Sequence, residues 1–272
     1  MARQAGFHKL DLDDCGHARR LAKTIERPTY VFMVAKVLRY DDKTGHHAFD
    51  TADFFITANG LILVYAPPLD ALVERVRQHL GGEAESNGFR LVHKLLDEMV
   101  DEYLRRLDAM GETIQRLESQ TLKRPAPHTL AYIFQLKKTL GEFRRNATTM
   151  REAVHGLARS KAAQDQNEAV IYLHDVAEHL TQALEFTETY RDALSEALDL
   201  YLTVSANRTN DVMKVLALYG TIALPLVVIT GFYGMNVRLP FAASSMAAGI
   251  IAIVMVVFAG GMLWYFRRRQ WF

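Results

Sequence analysis

The sequence predicts an α+β domain that is followed by a very long helix and two C-terminal transmembrane helices. Two runs near the end of the chain, residues 215–233 and 239–266, contain no charged residue. Each is long enough to cross a hydrocarbon core of roughly 30 Å, which takes about 20 helical residues. Segments rich in β-branched and aromatic residues lie between residues 29 and 65 and predict a small sheet. Between the sheet and the first apolar run, apolar residues recur at helical spacing.

Composition excludes several classes of protein. The net charge of +1 argues against nucleic acid as a main partner. Cys15 is the single cysteine, so no disulfide can form within the chain, which suits a cytosolic body. Arg3, His8 and Lys9 precede any apolar stretch, so we expect no signal peptide and membrane insertion through the C-terminal runs. No phosphate-binding glycine loop, nucleophile elbow or zinc-protease motif is present, and we predict no enzyme activity.

The N-terminal part is predicted to form the sheet. Residues 10–27 are acidic and then basic, which indicates a short helix or a loop. Residues 29–40, 48–57 and 61–65 are predicted strands of a largely antiparallel sheet, with Asn59-Gly60 as a hairpin turn. The pair His46-His47 follows a Thr-Gly turn and is expected at an exposed loop tip.

The remainder of the soluble part is predicted to be helical. Helices are expected over residues 69–80, 89–122 and 129–160, with Pro125 and Pro127 ending the second of them. Another helix begins near Gln166, and nothing stops it before the membrane. Its one proline, Pro225, lies inside the span, where a kink is tolerated. At 1.5 Å per residue this helix is roughly 100 Å long.

These elements divide the chain into six parts. We predict a small α/β cytoplasmic domain, a cytoplasmic helical part that includes the long stalk helix, a first transmembrane helix, an external loop, a second transmembrane helix and a basic cytoplasmic tail. Their ranges are residues 1–88, 89–211, 212–233, 234–245, 246–266 and 267–272.

A tetrapeptide at the end of the first apolar run carries a family resemblance. Tyr233, Gly234, Met235 and Asn236 stand between two C-terminal spans, and a basic tail follows the second. This arrangement resembles the CorA family of divalent-metal transport proteins. Residues 201–216, YLTVSANRTNDVMKVL, also resemble the family's junction between stalk and membrane, and a weaker likeness extends back to Pro28. The resemblance implies a homopentameric channel for Mg2+ and Co2+, with these four residues as its ion-selecting entrance.

A pore needs several copies of the chain, because two spans in one protomer cannot enclose one. Residues spaced by three or four along the first span form a single stripe. Such a stripe is also typical of ordinary helix packing in membranes. The resemblance assigns it to the pore lining and gate: Asn210, Met213, Leu216, Gly220, Leu224, Val227 and Gly231.

The residues at the mouth and in the stripe suggest how the ion is handled. Mg2+ gives up its waters reluctantly, so the Asn236 amide and backbone carbonyls near Gly234 are expected to bind its hydration shell. Met213, Leu216 and Leu224 are expected to form a hydrophobic constriction that excludes water when closed. Glycine at position 234 permits a tight turn after the helix, and Met235 is expected to pack the loop.

Asp175 and His179 form a candidate regulatory metal site. They lie four residues apart on the predicted stalk helix, a spacing that suits a cation but also an ordinary solvated helix face. The resemblance implies that Asp175 binds Mg2+ at a subunit interface and holds the channel closed. The acid opposite it in the next subunit is left open among three candidates: Asp50, Asp53 and Asp70.

The charges that flank the spans predict the orientation. Arg267, Arg268 and Arg269 follow the second span, and Arg208 and Lys214 precede the first, whereas the loop between the spans contains only Arg238. The positive-inside rule therefore places both termini in the cytoplasm and the protein in the inner or plasma membrane.

One departure from the family pattern leaves the ion open. The loop over residues 237–245 contains no acid, and a ring of Arg238 side chains would repel dications. The leading hypothesis is a channel for Mg2+, with Co2+ and Ni2+ as further ions and no organic cofactor. A zinc transporter of the same superfamily, coupled to protons, is the alternative. A third hypothesis is a membrane-tethered structural or sensor protein that transports nothing.

Overall fold

A computed structural model describes residues 6–15, 20–41, 45–57, 60–79, 88–123, 126–235 and 246–269. The chain divides into two units, Met1–Tyr201 and Leu202–Phe272. The first contains the sheet and most of the helical residues, and the second contains the two apolar segments. This arrangement confirms the predicted fold class. The six predicted ranges stay predictions.

The sheet contains four antiparallel strands in the order β1-β2-β3-β4. Their bounds are Lys23–Glu26 (β1), Tyr30–Asp41 (β2), His46–Thr57 (β3) and Gly60–Tyr65 (β4). Strands β2 and β3 form a long hairpin whose register runs from Tyr30 opposite Thr57 to Asp41 opposite His46. Three strands were predicted and are confirmed with small shifts at their ends. Strand β1 lies in the segment that was predicted to be a short helix or a loop.

Both faces of the sheet are covered. On one face, Val31, Met33 and Ala35 are buried in the large core that the helices share. On the other face, Phe32 and Phe55 pack against the N-terminal segment, which includes α1 (Lys9–Asp14). The first nine residues of β2 are therefore buried on both faces, which explains why β2 is a nearly continuous apolar run.

The helices follow the predicted order. A turn of 3-10 helix, Pro67–Leu69, leads into α2 (Asp70–His79), and then come α3 (Gly88–Lys123), α4 (Pro127–Ala158), α5 (Lys161–Gln164), α6 (Asn167–Tyr233) and α7 (Ala247–Arg268). Pro127 was predicted to end a helix, but it begins α4, because proline fits the first turn, where no intrahelical N–H bond is needed. Helix α6 is continuous over 67 residues with Pro225 inside it.

The prediction for His47 is wrong. His46 is exposed at the start of β3, as expected, but the His47 ring is half-buried. Its centroid lies 4.9 Å from the ring of Tyr40 and 5.4 Å from that of Phe143 on α4. The Thr-Gly turn located the hairpin correctly. The His47 ring is nevertheless half-buried because it packs against Phe143, which is far away in the sequence.

Candidate functional site

Helix α6 ends at the sequence motif. Tyr233 is its last residue, the Gly234 N–H donates to the Thr230 carbonyl at 2.8 Å, and the Met235 N–H donates to the Phe232 carbonyl at 3.4 Å. A Cβ atom at position 234 would lie 3.0 Å from the Thr230 carbonyl oxygen. Gly234 is not among the glycines with positive φ in the described part of the chain. Glycine is therefore favoured here by close backbone approach, and not by a left-handed turn.

The four motif residues are described only in part. Within the part of the chain that the structure describes, Tyr233 is 42% exposed and Met235 is 54% exposed. Asn236 and Arg238 lie outside the described residues, as does the rest of the loop to residue 245. The role of the motif as an ion-selecting entrance stays a prediction.

The predicted stripe lies on one exposed side of α6. Met213, Leu216, Leu224 and Val227 are between 62% and 72% exposed. A Cβ atom added at Gly220 or Gly231 would meet nothing within 4 Å. At about 100° per residue, the seven positions span an arc of roughly 120°. The stripe is therefore free to face other copies of the helix.

Both apolar segments are unburied within one chain. The most apolar windows of α6 and α7 have mean hydropathies of 2.1 and 2.2, and only 0% and 6% of those windows are buried. Just before the apolar run of α6, Lys214 pairs with Asp211 at 3.4 Å. Surfaces this apolar are stable only when lipid or partner helices cover them.

A cluster of carboxylate and imidazole side chains lies where α3 and α6 pack together in the first unit. The His179 Nδ1 atom on α6 is 3.6 Å from the Asp97 Oδ1 atom on α3. Two groups of three residues each offer ligand atoms within 4.8 Å of one another, and Asp97 belongs to both. The groups are His93, Asp97 and Asp175, and Asp97, Asp101 and His179. Asp175 and His179 thus have specific neighbours, besides sharing one helix face.

Burial and neighbouring charges shift the pKa values of two residues in this cluster. Burial raises the pKa of Asp97, and the nearby negative charge of Asp101 raises it further. Burial also lowers the pKa of His93, against the opposing effect of Asp97 and Asp175. Both shifts disfavour the charged form of the group, although the Asp97 side chain is still 37% exposed. A nearby cation would stabilise the ionised carboxylate.

Sequence reasoning did not identify the residues of α3 in this cluster. It named Asp175 and His179, but His93, Asp97 and Asp101 lie more than 70 residues earlier in the chain. A signal was present, since these three residues recur at intervals of four and therefore share one face of a helix. That signal has meaning only when α3 is known to pack against α6.

The three acids considered as interface partners of Asp175 have different environments. Asp53 is buried and its carboxylate accepts a hydrogen bond from Arg20 at 2.8 Å. Asp50 accepts a hydrogen bond from Arg39, also at 2.8 Å. Asp70 is exposed at the start of α2. Asp70 is the most accessible of the three to a second chain, and Asp53 is the least.

The chain is similar to known metal transport proteins along nearly its whole length. The family model described as "CorA-like Mg2+ transporter protein" matches residues 1–268. The cobalt/magnesium transport protein CorA of Thermotoga maritima is 32% identical over 270 residues, which cover 98% of this chain and 77% of that protein.

Two further likenesses concern the fold and the ion. The complete structure of the CorA magnesium transporter from Methanocaldococcus jannaschii superposes with a TM-score of 0.86 at 22% identity, covering 100% of this chain and 86% of that one. At this identity the likeness shows the fold alone. The zinc transport protein ZntB of Pectobacterium atrosepticum is 22% identical over 207 residues, which cover 75% of this chain and 61% of that protein.

Proposed function

The chain belongs to the CorA-like Mg2+ transporter family, and we propose that it conducts Mg2+ across the inner or plasma membrane as a homopentamer. It is a divalent-metal transporter of the CorA type, and the family is one of transporters, not enzymes. We also propose Co2+ and Ni2+ as transported ions. The observation that supports it is the stripe of α6, which is exposed within the part of the chain that the structure describes and can therefore face other copies of the helix.

The proposed pore is lined by one α6 helix from each subunit. With the stripe facing the axis, rings of Met213, Leu216 and Leu224 narrow the path with apolar surface. A narrow apolar ring expels water and so blocks a hydrated ion without any charge. Gly220 leaves room between the rings of Leu216 and Leu224, and Gly231 leaves room on the far side of Leu224, because neither carries a side chain. Opening then requires only that the helices separate enough to wet the constriction.

The proposed entrance binds the hydrated ion. Mg2+ loses its waters at high energetic cost, so a site of neutral oxygens that bonds to the water shell admits it more readily than a site that strips it. The Asn236 amide and the carbonyls around Gly234 supply such oxygens. Five uncharged amides bind a dication less tightly than carboxylates would. The ion can therefore leave the entrance and continue into the pore.

Zinc transport is the second candidate function. Two observations favour it: Arg238 is the only charged residue in the loop, and ZntB is among the relatives. A ring of arginines at the entrance lowers the local concentration of dications. Coupling to a proton gradient would supply a driving force for zinc transport despite this lowered concentration.

We also propose that cytoplasmic Mg2+ regulates the channel through Asp175 and His179. A cation between Asp175 and an acid of the next subunit offsets repulsion between the two carboxylates and stabilises the closed state. When the cation leaves, the repulsion favours separation of the subunits and opens the pore.

The test is metal flux into liposomes that contain the purified protein. Mg2+ influx and Zn2+ influx are compared with and without a pH gradient, for the wild type, for Asn236→Ala and for Val256→Ala. Position 256 is 72% exposed on α7 and serves as the control for insertion. We expect Mg2+ influx without a pH gradient, loss of that influx in Asn236→Ala, and normal influx in Val256→Ala.

Other outcomes separate the alternatives. Zn2+ influx that follows the pH gradient would support the second candidate, and the absence of any flux would support a non-transporting tether. In the same liposomes, Mg2+ on the side of the first unit should inhibit the wild type and not Asp175→Asn. Equal inhibition of both proteins would overturn the regulatory role of Asp175.

A further inference from the structure

A cavity in the first unit has a cationic wall and takes no part in the transport mechanism proposed above. It has a volume of about 140 Å3 and lies between the hairpin of β2 and β3, helix α3 and helix α4. Within the part of the chain that the structure describes, its wall contains one guanidinium and no carboxylate. Its polar side chains include those of Tyr40, His47, Arg106, Tyr132, Gln135 and Thr139. Such a wall suits an anion better than a cation.

The Arg106 guanidinium is held in a fixed orientation at this cavity. Its Cζ atom lies 4.0 Å from the centre of the Tyr40 ring, and its Nε atom donates to the Glu102 Oε1 atom at 2.7 Å. Its two Nη atoms donate no hydrogen bond within the described residues, and the side chain is 30% exposed. A planar guanidinium that is held by stacking and by one ion pair is preorganised to bind an oxyanion through its remaining N–H groups.

The ion pairs around Arg106 leave one positive charge in excess. Glu102 pairs with Arg106 at 2.7 Å and with Arg105 at 2.8 Å. Glu98 lies 3.6 Å from Arg105 and 3.4 Å from Arg75, so the network of described residues joins three arginines to two glutamates. Burial would raise the pKa of Glu102, but the bonds from Arg106 and Arg105 outweigh burial and lower it. Glu102 is therefore already ionised, and an anion in the cavity would balance the remaining charge.

His47 supplies a second donor to the cavity, and its charge depends on pH. Burial lowers the pKa of this half-buried ring, the positive charges of Arg106 and His46 lower it further, and Glu102 opposes them. The other titratable groups of the described lining are phenols, which are neutral near pH 7: Tyr40 on β2 and Tyr132 on α4. His47 is therefore neutral near pH 7, and a bound anion would favour its protonation.

We propose that this cavity binds a small oxyanion, either inorganic phosphate or a small carboxylate, through the Arg106 guanidinium and the His47 imidazole. At about 30 Å3 per water, the cavity holds roughly four or five waters, which is room for one such ion but not for a nucleotide. The Tyr132 hydroxyl and the Gln135 amide are further donors from α4. A bound anion ties the β2–β3 hairpin to α3 and α4, because its ligands come from all three elements. The inference goes beyond the proposed transport function and does not depend on it.

Calorimetric titration of the purified full-length protein with sulfate, at constant ionic strength and without metal, tests the proposal. Sulfate keeps its charge over the working pH range, so a pH dependence of binding comes from the protein. We expect saturable binding at millimolar sulfate that strengthens as the pH falls from about 8 to about 6, because protonation of His47 adds a positive charge. Arg106→Gln should weaken the binding roughly tenfold or more, and Arg106→Lys, which keeps the charge without the planar fork, should weaken it less. His47→Gln should remove the pH dependence.

Arg105→Gln and His46→Gln are the matched controls. Arg105 bonds to the same glutamate as Arg106 but is not among the residues that line the cavity. His46 precedes His47 in the chain and is exposed. Both control variants should bind sulfate nearly as the wild type does and keep its pH dependence. Circular dichroism of every variant separates loss of binding from loss of folding, and if Arg106→Gln fails to fold, then Arg106→Lys and the pH profile of His47→Gln decide.

The outcomes are distinguishable from those of the flux experiment. Absence of saturable sulfate binding in the wild type would overturn the proposal, and so would equal weakening by Arg106→Gln and Arg105→Gln. Inorganic phosphate and malonate, a small dicarboxylate, then compete with bound sulfate, and the stronger competitor identifies the class of ligand. If neither displaced sulfate, the cavity would not be a site for small oxyanions. A protein that binds sulfate as expected but carries no metal would refute the transport function and leave this inference intact.

Discussion

A buried carboxylate fixes the N-terminal segment to the sheet. Asp11 is 1% exposed and accepts hydrogen bonds from Arg27 at 2.6 and 2.9 Å and from the Tyr30 hydroxyl at 2.6 Å. Burial alone would raise the pKa of Asp11, but the bonds from Arg27 and Tyr30 outweigh burial and lower it. We predict that Asp11→Asn destabilises the protein by about 1–3 kcal/mol near neutral pH, because the donors lose a charged acceptor.

The pH dependence of this effect follows from the lowered pKa. The stabilisation by Asp11 is present above its unfolded pKa of about 3.9 and is lost as the pH falls through the folded value. Thermal unfolding of the wild type and Asp11→Asn should therefore differ most near neutral pH, and the two should converge in acid below about pH 4. A difference that stayed constant down to pH 3 would contradict the assigned pKa direction.

At the same scale, helical spacing sufficed where one helix carried all the residues. The seven stripe positions and the pair Asp175 and His179 all lie on the continuous helix α6, while their roles stay predictions. His93 and Asp97 were not predicted, because their role depends on packing between helices that are far apart in the sequence. The reason for glycine at position 234 was also missed, since it depends on the position of a single carbonyl oxygen.

Among the elements, the packing of α3 against α6 depends on a glycine. A Cβ atom at Gly111 would lie 2.6 Å from the Tyr190 hydroxyl oxygen and 2.7 Å from its Cζ atom. We predict that Gly111→Ala destabilises the first unit by about 1–3 kcal/mol, despite its better helix propensity, because the Tyr190 ring must move. Gly141→Ala on α4 is the control, since its Cβ atom would meet nothing within 4 Å.

Denaturant unfolding of both variants measures this difference. Gly141→Ala should be neutral or more stable by up to about 1 kcal/mol, the gain of alanine over glycine in a helix. The double variant Gly111→Ala/Tyr190→Ala should lose less than the sum of its two single variants, because removal of the ring removes the clash. Equal stability of Gly111→Ala and Gly141→Ala would show that the ring yields without strain.

The elements that the sequence missed are those that tertiary contacts stabilise. Strand β1 has four residues, of which Lys23, Thr24 and Glu26 are polar, so neither its length nor its pattern indicates a strand. It forms because β2 pairs with it and because the Thr24 hydroxyl donates to the Ala153 carbonyl on α4 at 2.7 Å. Long helices with clear periodicity needed no such help and were predicted within a few residues.

At the scale of the whole molecule, the unequal distribution of charge about the two spans predicts their orientation. Arg267, Arg268 and Arg269 follow α7, whereas the loop between the spans carries only Arg238. The positive-inside rule then places the C-terminus in the cytoplasm, and two spans place the N-terminus there too. Single cysteines at Ser245 and Phe272, introduced into a Cys15→Ser background, make this testable with a maleimide that cannot cross membranes. We expect Ser245→Cys to react in intact cells and Phe272→Cys to react only after permeabilisation.

The orientation matters because it decides whether Asp175 and His179 are exposed to the cytoplasm. If Phe272→Cys reacted in intact cells, then the first unit would face outward and these residues could not sense cytoplasmic ions. The Cys15→Ser protein without further changes gives the background labelling. Replacing Arg267, Arg268 and Arg269 by glutamine should weaken the orientation preference, since Asp and Glu contribute little to it and the arginines supply most of the bias. Mixed labelling of Ser245→Cys in that variant would tie the orientation to this tail.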